Sequence, residues 1–75
     1  MTIQLTKEEK AQIITSHIRN LTYSRYNLEV DVIQENAKTS PSAASIASIN
    51  TQIDELDDQI LALNTELTAV NALVE

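Results

Sequence analysis

The chain has 75 residues with 5 Lys+Arg against 11 Asp+Glu, a formal net charge of −6, and no Cys or Gly. Without Gly there is no phosphate-cradling loop or dinucleotide fingerprint, and without Cys no disulfide framework, thiolate nucleophile or cysteine zinc site. Such an acidic balance disfavours nucleic acid, whose phosphates require clustered positive charge. No apolar run approaches the ~20 residues a bilayer span needs, which argues against a membrane partner.

The length permits one small domain. Below about 70–80 residues a single core rarely supplies more than ~3–5 kcal/mol, so small chains lean on disulfides, metals or a partner chain. Cysteine is absent and metal ligands are sparse, which leaves self-association. Ser, Thr, Asn and Gln make up a third of the sequence, so its polar faces are neutral rather than laced with ion pairs.

The opening segment, residues 1–5, alternates, with Ile3 and Leu5 on one side and Thr2 and Gln4 on the other. That suits a short extended arm. It lacks the basic start and apolar stretch of a signal peptide, so a cytoplasmic protein is expected. Thr6-Lys7-Glu8-Glu9 then reads as a capping box, in which the Thr6 hydroxyl and the Glu9 carboxylate each serve the other's backbone N–H. No breaker follows before Lys38, so the first helix is expected over residues 6–38. Its apolar seam is Ala11, Ile14, Ile18, Leu21, Leu28 and Val32, interrupted by Arg25 and closed by Glu35.

Lys38-Thr39-Ser40-Pro41-Ser42 follows. Pro41 disfavours helical geometry at Ser40 and suits a first helical turn. The turn is therefore expected at residues 39–40, with Ser40 as N-cap and a second helix over 41–75. Two helices of near-equal length with a short connection must run antiparallel. One continuous helix is the structural alternative, and Pro41 with its Ser/Thr neighbours argues against it.

The second helix carries the strongest pattern. Ile46, Ile49, Ile53, Leu56, Ile60, Leu63, Leu67, Val70 and Val74 recur at alternating spacings of three and four. That is a heptad seam with left-handed coiled-coil packing. Folding at residues 39–40 brings together seam residues whose numbers sum to about 80. Ile18 then lies near Ile60 and Leu63, Leu21 near Leu56 and Ile60, and Leu28 near Ile49 and Ile53. The fold class is therefore all-α, an antiparallel two-helix hairpin associating into a helical bundle, with a dimer favoured.

Charge divides unevenly. Residues 1–38 hold all five basic and five acidic residues, and residues 39–75 hold six acidic residues and no basic one. Arg25 should face Asp54 to Leu56. It could fix register or partner choice together with Asp54, Asp57 and Asp58, or its stem could cover apolar surface while the guanidinium reaches water. Asp54 and Asp58, at i and i+4, share a helix face, but no nearby loop supplies the oxygens a hard cation needs, so no metal or other cofactor is expected. His17 has no carboxylate one helical turn away and reads as a surface or interface residue. Asn50, Asp57, Asn64 and Asn71 flank the second seam as neutral or layer-forming positions.

The first helix also bears a second apolar strip of Tyr23, Tyr26, Val30, Ile33 and Ala37, roughly 140° from its seam at 100° per residue. Ala43, Ala44 and Ala47 continue it across the turn, and Ile13, Leu61 and Leu73 lie off the seam at the other end. A helix apolar on two faces is usually buried on both. The strip is the candidate partner interface, made with another copy or another protein.

A Ser/Thr/Asn-rich helical hairpin that opens with a capped LTKEE segment and ends NTELTAVNALVE resembles the small uncharacterised helical-hairpin proteins of tailed bacteriophages. The resemblance spans the chain in style and carries over no functional residue. It implies a minor virion component or a small host-directed factor, located in the host cytoplasm or the virion. Phage-borne two-helix adaptors that steer host proteins to degradation are similar in architecture. The residues thus point to a non-enzymatic structural, assembly or protein-interaction role. The alternative is a host-directed adaptor or inhibitor binding through the acidic second helix.

Overall fold

A computed structural model describes residues 4–74 of the chain. Two helices, α1 (Lys7–Asn36) and α2 (Ala43–Asn71), lie antiparallel in a rod measuring 60 × 19 × 15 Å. The protein is an all-α helical hairpin. Of the expected arm, residues 1–3 lie outside the described part, and Gln4 and Leu5 have no regular structure.

Helix α1 starts where the sequence places it. The Glu9 N–H donates to Thr6 Oγ1 at 3.1 Å and the Thr6 N–H to Glu9 Oε1 at 3.0 Å. With Glu8 and Glu9 in the first turn, negative charge sits at the positive end of the helix dipole.

The turn departs from expectation. Helix α1 ends at Asn36 rather than Lys38, and α2 begins at Ala43 with Ser42, not Ser40, as its N-cap. The Ser42 hydroxyl accepts from the Ser45 N–H at 3.2 Å. Two linking residues are near the lower limit for joining helices, and here residues 37–42 form the connection. Pro41 precedes the cap instead of entering the first turn. At the far end α2 stops at Asn71, and Val74, expected on the seam, is 98% exposed. Its counterpart position lies near residue 6, where α1 is only beginning, so there is no helix for it to pack against.

Seam positions are the covered ones. In α1, Ala11, Ile14, Ile18, Leu21, Arg25, Leu28, Val32 and Glu35 are half-buried. In α2 the half-buried residues are Ile46, Ile49, Ile53, Leu56, Ile60, Leu63 and Leu67, and Val70, at 4% exposure, is the one described residue that is fully buried. A two-helix layer covers each seam on one side only, so its apolar side chains realise part of their ~1.5–3 kcal/mol burial free energy. Leu21 shares a groove with Gln59 and Leu63, and Leu28 shares one with Gln52 and Leu56. Helix α1 ends about as early as α2 starts late, so the centre of the turn stays at residues 39–40.

The neutral helix faces satisfy themselves locally. Thr22, Thr51, Thr65 and Thr68 each donate a hydroxyl to the carbonyl four residues earlier, at 2.8–3.1 Å. That back-bonding satisfies the hydroxyls within the helix, at a slight cost to its stability.

Candidate interaction faces

Three polar side chains of α1 reach across to α2. At the open end, the Lys7 ammonium donates to the Asn71 and Leu73 carbonyls, both at 3.3 Å. These carbonyls belong to the negative end of the α2 dipole, where a cation is favoured. Midway, Arg25 Nε donates to Asp57 Oδ1 at 2.6 Å and Nη2 to Oδ2 at 3.3 Å, and Nη1 engages Glu29. Near the turn, the Ser42 N–H donates to Glu35 Oε1 at 2.9 Å, and the Lys38 ammonium pairs with Glu35 Oε2 at 2.6 Å.

Arg25 thus meets Asp57, one residue beyond the expected stretch from Asp54 to Leu56. The bidentate arrangement suits a planar guanidinium. Its hydrogen bond to Asp57 is the main influence raising the Arg25 pKa above its ordinary value, with Glu29 adding to it and partial burial opposing it. Asp54 and Asp58 are exposed on the outer side of α2. Among the described residues no group of three or more His, Cys, Asp or Glu is arranged to hold a metal ion.

Glu35 was legible in sequence only as a flaw in the seam. In the fold its side chain is 11% exposed, and it caps the N-terminus of α2 from the neighbouring helix. The hydrogen bond from Lys38, then that from the Ser42 backbone, holds its carboxyl pKa below the usual value. A signal was available: an acid three residues before a lysine and seven before the serine that follows the proline.

The second apolar strip lies on the outer side of α1, except that Ile33 at its edge also borders a groove with Asn50 and Ile53 of α2. Tyr23, Tyr26 and Ile33 are 76%, 64% and 65% exposed. Val30 between them is half-buried, and Ala37 is exposed at the end of the helix. Next to Tyr23 and Tyr26, an open groove of about 450 Å³ is lined by Thr15, Ile18, Arg19 and Thr22 as well. Ala43, Ala44 and Ala47 are exposed just beyond the turn. Ile13, Leu61 and Leu73 are also exposed, apart from this strip. His17 is exposed and borders a groove with Asn20, Leu21, Gln59, Ala62 and Leu63. Asn50, Asp57, Asn64 and Asn71 are all exposed along the flank of α2.

No known protein family matches the chain, nor does any curated protein or any solved structure. No helix among the described residues is long and apolar enough to cross a membrane.

Proposed function

We propose that this chain is a non-enzymatic structural or assembly protein that acts by presenting helix faces and self-associates into a helical bundle. The observation that carries this reading is the strip of Tyr23, Tyr26 and Ile33, large apolar side chains about two-thirds exposed on one face of α1. Its resemblance to phage hairpin proteins supports a minor virion component, made in the host cytoplasm.

Sedimentation tests the association, with an expected mass of at least twice 8.3 kDa. Tyr26→Asp or Ile33→Asp should dissociate the assembly while the chain stays helical, because neither side chain packs on the seam. Leu63→Asp should unfold the hairpin itself. Equal effects from both classes would remove the distinction between the two faces. Mass spectrometry of purified virions tests the proposed location.

A second reading rests on the exposed acidic residues Asp54, Glu55 and Asp58 of α2, a helix without a single basic residue. In it the chain is a host-directed adaptor or inhibitor that docks on a basic partner. Salt-sensitive capture of one host protein supports that reading, and co-purification only with virion proteins supports the first.

A further inference from the structure

We propose that the outer face of α1 is covered by the same face of a second copy, running antiparallel, with the two-fold axis passing beside Val30. This rests on the self-association proposed above and names its face and register.

Area is the first argument. A compact monomer of 8.3 kDa exposes about 4,600 Å², whereas this hairpin exposes 5790 Å². The surplus of about 1,200 Å² per chain exceeds the roughly 800 Å² that each partner gives to a standard stable interface. A second copy laid along the rod is enough to remove it.

The second argument is the symmetry of the strip. An isologous contact needs a patch that is complementary to itself. Tyr23 and Ala37 stand seven residues either side of Val30, and Tyr26 and Ile33 stand four before and three after it. Reversing one copy sets the large Tyr23 against the small Ala37 and Tyr26 beside Ile33. Val30, half-buried and the low point of the strip, meets itself on the axis. A parallel copy would instead stack Tyr23 on Tyr23 and leave Ala37 facing Ala37 across a gap. The alternating three and four spacing allows knobs-into-holes packing along this second seam.

Charge selects the face. Residues 1–38 are balanced, and the net charge of −6 belongs wholly to residues 39–75. A contact through α2 would bring two acidic helices together. A contact through α1 places them on opposite outer sides of the four-helix layer. Of the two acids beside Val30, Glu29 is engaged by Arg25 of its own chain, and Asp31 is exposed on the far flank of the strip from Arg25.

The chain contains no cysteine, so single-cysteine variants of the full chain report the register directly. Val30→Cys should link to itself on oxidation. Tyr23→Cys mixed with Ala37→Cys should give the mixed dimer. Neither should link alone, because like positions then lie about 21 Å apart along the helices, beyond the roughly 7 Å Cα separation a disulfide spans. Circular dichroism of each variant confirms that the hairpin is kept. Self-linking by Tyr23→Cys and Ala37→Cys separately would mean a parallel pair and overturn the proposal. A chain that sediments as a dimer without these links overturns the register and leaves self-association standing. A chain that is monomeric at every concentration overturns both.

Discussion

If the hairpin folds as part of an assembly, its melting temperature must rise with protein concentration, because unfolding then also separates chains. The size of the effect follows from the helices. With 30 and 29 helical residues and about 0.7 kcal/mol of unfolding enthalpy per residue near 60 °C, each chain contributes about 40 kcal/mol. A dimer then unfolds with about 80 kcal/mol, and its midpoint should shift by about 6 °C for each tenfold change in concentration. Melting followed by circular dichroism over a hundredfold range should show a displacement of about 12 °C. A hairpin that is stable alone would melt at one temperature throughout. A midpoint constant to within about a degree would therefore refute the argument that one exposed strip and one fully buried residue imply a partner. A larger slope than that for a dimer would not rescue the monomer, since it too requires chains to separate.

Leu63→Ala should cost about 1–2 kcal/mol in urea unfolding, below the usual 2–5 for a fully buried leucine, because this seam side chain is only half-covered. A cost no larger than the ~0.5 kcal/mol of a surface change would contradict the seam. Glu35 supplies a pH dependence. Its folded pKa lies below the ordinary carboxylate value, so its contribution is present above that ordinary value and is lost as pH falls through the lower folded pKa. Glu35→Gln should therefore be less stable than the parent at neutral pH, and the two should converge in acid. Parallel pH profiles would show that the carboxylate does not hold the turn.

The fold was legible because its signal is periodic. Apolar residues at spacings of three and four fixed the hairpin seam from Ala11 to Val32 and from Ile46 to Val70, and these are the positions that the structure covers. Periodicity says little about ends. Where a helix stops depends on which orphan backbone groups find partners, and those partners come from the other helix. Ser42 displaced Ser40 as N-cap with the Glu35 carboxylate waiting for its N–H. At the other end the seam pattern continued to Val74 after its opposing helix had run out. The strip on α1 was equally visible as pattern, whereas the cap supplied by Glu35 was hidden, because a seam position occupied by an acid reads as a defect.

The same polar contacts explain how so regular a seam finds one register. Sliding α2 by a heptad against α1 would exchange isoleucine and leucine for similar residues, so apolar burial alone discriminates weakly. Polar seam residues are the known remedy. Here Lys7, Arg25 and Glu35 occupy half-buried seam positions of α1, and each has a partner on α2 that does not repeat with the heptad. Glu35 meets the N-terminus of α2, Lys7 meets its last carbonyls, and Arg25 meets Asp57 between them. Both terminal contacts also oppose the α2 dipole with the favourable sign of charge, which α2 cannot do for itself because its end turns carry neither acid nor base. A one-heptad slip of about 10 Å would break all three at once. The breaks in the first helix's apolar pattern therefore select the hairpin that its unbroken positions stabilise.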